Sequence, residues 1–463
     1  MQQAKGIMEN GGAAAAAAAV CTAQVAVVTV KRGEPSLVPP AKPTPTGEQY
    51  YLSNLDQCFA VIVQTVYCYK AKAKAAGGGG AGDDAAATLR GALARVLVHY
   101  HPLAGRLRVD PELMKLTVEP TGEGAVFVEA DAACDLAGVG DLTKPDSATL
   151  GQLVYSVPGA KNIPEMPLMT AQVTRFKCGG FALGLAMNHC MADGIAAMEF
   201  VNSWATMARG AGELAAPPFL DRTVLRPRDP PVHTFPRPEP GEIPDAVADT
   251  AALYAGEELL HRCFSFDPDR LERVRALALA GGDLGCRCTT FEALSGLVWR
   301  AHARALGLAP EQRTRLRLAV DGRRRLAPPL PRGYFGNAIV PAAAVAAAGE
   351  LLSAPVSRAA ALVREAVRMV TGEYVRSVVD RLEATTQAAP PPPSTLFITT
   401  WSRLEFDGAD FGWGEPVVSG PVALPEKNVV LFLAHGVERK SINVMISLPA
   451  TAMDAFQEIM DEI

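Results

Sequence analysis

Apolar residues along the chain follow two rhythms, and the switches between them separate strands from helices. Every-second-residue patterns, or short continuous apolar runs, predict strands at 24–30, 59–69, 116–118, 125–129, 170–176 and 181–187. The last two flank Cys178-Gly179-Gly180, a turn sequence, and read as a strand pair. Apolar positions three and four apart predict a helix over 85–100. The second half repeats the alternation, with strands at 260–266, 313–320, 338–342, 395–401, 429–434 and 441–448. Its helices are predicted at 268–279, from 290 to about 306, over one long stretch from 353, and from 451. The second of these follows Thr289-Thr290-Phe291-Glu292, which resembles a capping box. Both halves therefore predict an α/β fold with mixed sheets.

A chain of 463 residues is long for one core, so two domains are expected. Residues 214–245 hold nine prolines and few periodic positions, and read as the crossing segment between them. That places one domain over 21–213 and the other over 246–463, with chain near 390–420 returning to the first. Residues 77–82 form a glycine-rich insert, and residues 1–20 a low-complexity tail. The stretch 10–30 is uncharged, but it is built on Ala, Gly and Thr and lacks the Leu, Ile and Phe that drive a segment into a bilayer. No stable membrane insertion is expected, and the cytoplasm is the expected location. A net charge of −5 gives no basic excess for nucleic acid. Nine cysteines without a C-x-x-C pair argue against a zinc site and fit a reducing compartment.

The most chemically informative residues are His189-Cys190-Met191-Ala192-Asp193-Gly194, between the strand 181–187 and a helical pattern beginning at Ile195. His189 falls on the same face as Phe181, Leu183, Leu185 and Met187. A strand end holds an imidazole rigidly and still lets it project into a cleft, where it can act as a general base near neutral pH. Asp193 is too strong an acid for that task and reads as the residue that fixes the ring or the turn. Cys190 is a poor nucleophile candidate, because neighbours on a strand end point to opposite faces. Taken alone, H-x-x-x-D more often describes a His and an Asp that merely satisfy each other at a turn.

A second motif, Asp410-Phe411-Gly412-Trp413-Gly414, lies near the C-terminus. Three more segments stand between the chain's ends: Tyr100-His101-Pro102-Leu103-Ala104-Gly105-Arg106-Leu107, Val320-Asp321-Gly322-Arg323 and Tyr334-Phe335-Gly336-Asn337. In content and order these motifs make the chain resemble the BAHD family of plant acyl-CoA-dependent acyltransferases. The resemblance implies two pseudo-symmetric chloramphenicol-acetyltransferase-like domains with an active-site channel between them. It implies acyl-CoA as co-substrate, no metal and no other cofactor, small-molecule partners only, and a monomer. His189 is then the general base and Asp193 an orienting residue in a structural ion pair. Thr399 and Trp401, in Thr399-Thr400-Trp401, assist with the oxyanion and acceptor placement. On residue type alone that segment is an ordinary β-branched and aromatic strand. Asp410, with Gly194, Phe411, Gly412, Trp413 and Gly414, is expected to be structural, since two glycines suit a tight backbone path and two aromatics suit packing.

Finer segments point to the hydroxycinnamoyl branch. They are Asn54-Leu55-Asp56-Gln57, Lys177-Cys178-Gly179-Gly180, Gly333 to Asn337, Ser419 to Lys427 and Ser441-Ile442-Asn443-Val444. Within that branch the chain resembles the feruloyl transferases of suberin and cutin formation, which implies transfer to a long-chain omega-hydroxy fatty acid or fatty alcohol. Shikimate-directed relatives hold their acceptor's carboxylate with an arginine a short way before the Thr-x-Trp. Here that position falls in Thr385-Thr386-Gln387, with Arg381 nearby. A buried carboxylate without a partner is costly, so a long apolar acceptor is expected. The alternatives are a shikimate-, quinate- or amine-directed hydroxycinnamoyl transferase and a catalytically silent binding member. Peptide-synthetase condensation domains share the His…Asp-Gly loop but typically carry two consecutive histidines, where this chain has Asn188.

Overall fold

The computed structural model describes residues 28–72, 84–139, 147–160, 162–234, 254–384, 394–423, 427–436 and 438–463. The tail 1–20, positions 24–27 of the first expected strand, the insert 77–82, part of the crossing segment (235–245), Thr385 to Gln387 and the proline run 390–393 lie outside the described residues.

The first-half strands are β1 (Val30–Arg32), β2 (Ser36–Val38), β3 (Ile62–Tyr69), β4 (Arg106–Val109), β5 (Leu116–Glu119), β6 (Ala125–Ala132), β7 (Met169–Arg175) and β8 (Phe181–Asn188). The second half adds β9 (Leu259–Phe266), β10 (Arg313–Asp321), β11 (Ile339–Ala347), β12 (Thr395–Thr400), β13 (Val418–Pro421), β14 (Val429–His435) and β15 (Ser441–Pro449). One sheet runs β1-β6-β7-β8-β3-β13, with β2 also on β6, and the other runs β11-β10-β12-β14-β15-β9. Both are mixed: β6–β7, β10–β12 and β12–β14 are parallel and the remaining pairs antiparallel. The fold is thus two α/β domains, each built on one mixed sheet.

Strand β8 shows how the period-two pattern places the site. Phe181, Leu183, Leu185 and Met187 join one core cluster, together with Trp204, while Ala182 and Ala186 join another. The helices Ala85–His99 and Gly194–Ala208 cover the first of these faces. Trp204 Nε1 there donates to Leu89 O at 2.9 Å. On the other face the chain at Leu153 crosses so close that a Cβ at Gly184 would stand 1.9 Å from its carbonyl oxygen.

Strand β13 belongs by sequence to the second half but pairs with the first sheet. Val418 lies opposite Cys68 and Pro421 opposite Thr65. The proline is tolerated because it ends an edge strand.

In the second half, Thr289 forms the expected capping box: its backbone N donates to Glu292 at 2.8 Å, and Glu292 N donates to its hydroxyl at 3.2 Å. The expected single helix from 353 is instead two helices, Val356–Met369 and Gly372–Ala384, preceded by a separate short helix, Ala348–Ser353. Pro355 forces extended backbone before it and has no N–H to continue a helix. The second break lies at Val370-Thr371, and at Gly372, which opens the next helix, a Cβ would stand 2.6 Å from Arg325 O. Among the described residues no helix is long and apolar enough to cross a membrane.

Gly184→Ala tests the close crossing under β8. The methyl overlaps backbone that has no rotamer to yield, so unfolding free energy should fall by at least about 2 kcal/mol. Urea denaturation with an unchanged midpoint would show that the Leu153 turn moves aside freely.

Candidate active site

Strand β8 ends one residue before His189. Two main-chain bonds fix the exit: Asn188 N donates to Leu168 O at 2.9 Å and His189 N to Val61 O at 2.8 Å. The half-buried imidazole stacks on Phe59, with ring centroids 4.7 Å apart and planes 24° apart. Its Nδ1 lies 3.1 Å from Oδ1 of Asn337, which stands between β10 and β11 in the other half. The ring therefore sits at the seam between the two sheets.

Asp193 serves the turn and not the ring. As N-cap of Gly194–Ala208 it accepts from Ala196 N at 3.1 Å. Its two carboxylate oxygens also receive the Arg323 guanidinium at 2.8 and 2.9 Å, and Ala338 N at 3.0 Å. Bidentate geometry of this kind is both strong and orienting. Arg323 further donates to Gly336 O at 3.0 Å, so the pair ties the turn after His189 to the β10–β11 connection. Gly194 leaves room for the chain after β12, because a Cβ there would lie 2.9 Å from Leu404 Cδ1.

Three residues at this seam carry no signal of their own role in the sequence. Asp56 and Arg222 form a fully buried pair at 3.2 Å. Arg222 also donates to Phe335 O and Cys190 O, each at 3.0 Å, and to Met191 O. Asp56 accepts from Asn337 N at 2.9 Å and from Asn337 Nδ2 at 2.8 Å. Asp56 and Asn337 were visible only as parts of longer motifs, and Arg222 sits in a proline-rich stretch that reads as loop. Cys190 lies in the core with its thiol pushed up to about 12 by burial, which removes it as a nucleophile.

Thr399 and Trp401 stand at the C-terminal end of β12 and just past it. Trp401 N donates to Phe432 O at 2.7 Å. Its side chain lines an apolar cavity with Val63, Tyr67, Leu185, Met187 and Leu404, and Met187 shares the β8 face that leads to His189. Thr399, half-buried opposite Leu431, is not among the residues lining that cavity.

Asp410 is far from this chemistry. Its Oδ1 accepts from Gly412 N at 2.7 Å and Gly414 N at 2.9 Å. Both glycines sit at positive φ, 101° and 83°, which other residues adopt only with strain. Tyr69 Oη donates to Ala409 O at 2.6 Å, Phe411 meets Trp204 edge-on, and Trp413 meets Phe181 edge-on. Phe181 begins β8 and His189 follows its end, so the loop docks roughly 25 Å along the strand from the imidazole.

Thr385 to Gln387 lie outside the described residues, and Arg381 stands in the last turn of Gly372–Ala384. Among the described residues no three His, Cys, Asp or Glu side chains group as a metal site.

The model of the Transferase family matches residues 26–463. The chain is 54% identical over 431 residues to the omega-hydroxypalmitate O-feruloyl transferase of Arabidopsis thaliana, covering 93% of this chain and 92% of that one. It is 50% identical to the fatty alcohol:caffeoyl-CoA acyltransferase of the same plant, covering 93% and 98%. A solved structure of vinorine synthase superposes with a TM-score of 0.72 at 23% identity, covering 92% of this chain and 96% of that one, and so shares the fold.

Asp193→Ala should cost about 3 kcal/mol of stability, because it strands a largely buried Arg323 and removes the helix N-cap. A shift of the urea midpoint worth less than about 1 kcal/mol would mean that the ion pair does not hold the turn to the second half.

Proposed function

This chain belongs to the BAHD acyltransferases, the Transferase family that its sequence matches, and from that premise we propose that it transfers a hydroxycinnamoyl group, feruloyl by preference, from CoA to the hydroxyl of a long-chain omega-hydroxy fatty acid or fatty alcohol. It is an acyl-CoA-dependent acyltransferase. The observation that carries the proposal is the His189 imidazole held at the seam, following a strand whose Leu185 and Met187 line an apolar cavity with Trp401.

An acyl thioester is already activated, so the reaction needs a base, an oxyanion stabiliser and a dry site, and no metal. The acceptor hydroxyl gives its proton to His189 as its oxygen bonds to the thioester carbonyl carbon. The resulting tetrahedral oxyanion is met by Thr399 and Trp401. Collapse breaks the C–S bond, and the departing thiolate takes the proton back from His189. Asp193, through Arg323, keeps the turn in place without exchanging protons, and Asp410 holds its own loop against the first sheet.

The acceptor class rests on the two close relatives, whose names specify omega-hydroxypalmitate and a fatty alcohol, and on the apolar lining beside Trp401. We place the enzyme in the cytoplasm as a monomer, supplying aromatic esters for suberin or cutin.

With feruloyl-CoA as donor, kcat/KM should rise with acceptor chain length by up to about fourfold per methylene, the equivalent of ~0.8 kcal/mol per buried CH₂, until the site is filled. A panel of alcohols and omega-hydroxy acids of graded length against shikimate and spermidine reads this directly. A preference for shikimate or spermidine would reject the acceptor and leave the acyltransferase assignment standing.

A further inference from the structure

We infer that Asn337 is a positioning residue that selects the tautomer of His189, and that Asp56 fixes Asn337 in the orientation this requires; the inference rests on the reading of His189 as the base.

A neutral imidazole carries one N–H and one lone pair, and only the nitrogen with the lone pair can accept a proton. The partner of the other nitrogen decides which is which. The terminal atoms of an Asn amide are told apart by their neighbours. At Asn337 those neighbours leave one arrangement. Nδ2 lies 2.8 Å from Asp56 Oδ1 and 2.8 Å from the main-chain oxygen of His189 itself. A carbonyl oxygen accepts only, and so does a carboxylate paired with Arg222. Both must receive N–H groups, so the nitrogen end of the amide points at them. Oδ1 is then the atom 3.1 Å from His189 Nδ1. An oxygen there requires Nδ1 to carry the proton, which leaves the lone pair on Nε2 for the acceptor hydroxyl.

The orientation is reinforced upstream. Asp56 Oδ1 also receives Asn337 N, while its Oδ2 receives Ser53 N and Ser53 Oγ, each at 2.7 Å, and faces Arg222 at 3.2 Å. Asp56 is thus saturated with donors and has no path by which to take a proton from the imidazole, because a neutral amide stands between them. With the amide reversed, an NH₂ group would face Nδ1 and favour the tautomer that presents an N–H to the substrate. That form cannot act as a base.

The test combines kinetics with long-range ¹H–¹⁵N NMR of histidine-labelled full-length enzyme, the His189 signals being assigned by their loss in His189→Ala. The wild type should show the neutral ring protonated at Nδ1. Asn337→Ala should convert it to a mixture or to the Nε2–H form. The same substitution should lower kcat at least about tenfold with KM for feruloyl-CoA within about twofold, yet change nothing further in the His189→Ala background. A wild-type ring protonated at Nε2 overturns the inference even if Asn337→Ala fails to fold. Equal losses in both backgrounds overturn it as well, by showing Asn337 to be merely structural. Full activity in His189→Ala would instead reject the base itself, while the NMR result would still decide the tautomer.

Discussion

A guanidinium buried away from water holds this molecule's working parts together. Arg222 can present five N–H donors, and they reach Asp56, the carbonyls of Cys190 and Met191, and the carbonyl of Phe335. Those partners come from the short helix Asn54–Gln57, the turn after His189 and the segment before β11. A buried ion pair is weak evidence for stability as such, but removing one partner would strand a charge in the core at several kcal/mol. These three segments and the one that carries Arg222 are therefore coupled in assembly, and His189 is held in place only when both halves are folded.

The Asp193–Arg323 pair repeats the same device on the other side of His189. In each case a first-half carboxylate meets an arginine from a later segment, and the arginine also binds a carbonyl of the stretch Tyr334 to Asn337. The two clamps bracket His189, one through Asn337 and one through the N-cap of Gly194–Ala208. The exchange is reciprocal, since β13 and the Asp410 loop cross back onto the first sheet. A seam locked at several places holds a single imidazole in place, and in the proposed mechanism such preorganisation lowers the barrier without a covalent intermediate.

Much of this was legible in the sequence because local pattern and local chemistry coincide there. The alternation through Phe181, Leu183, Leu185 and Met187 defined β8 and put His189 at its end. The capping-box residues Thr289 and Glu292 marked a helix start that the structure shows. The illegible parts are those in which long-range contacts decide. β13 is four residues, Val-Ser-Gly-Pro, with no period to read, and it exists because β3 offers an edge. Val356–Met369 and Gly372–Ala384 looked like one helix from 353 because the apolar spacing continues across Pro355 and across Val370-Thr371. Arg222 lies in a stretch that read only as a proline-rich crossing, and its buried partner Asp56 is far away in sequence. Asn337 was visible as part of a motif, but its hydrogen bond to His189 spans the seam between the two sheets and leaves no trace in local composition.

The central claim is direct transfer: one base at a rigid seam, with the acyl group never attached to the protein. Initial-rate kinetics with feruloyl-CoA and a long-chain omega-hydroxy acid varied together test it most directly. A ternary-complex mechanism predicts double-reciprocal lines that intersect, and rapid mixing of enzyme with feruloyl-CoA alone should release no burst of CoA thiol. Parallel lines with a stoichiometric burst would demonstrate an acyl-enzyme and contradict the account, in which the thiol next to His189 in sequence, Cys190, is buried, raised to about 12 and unable to serve as nucleophile.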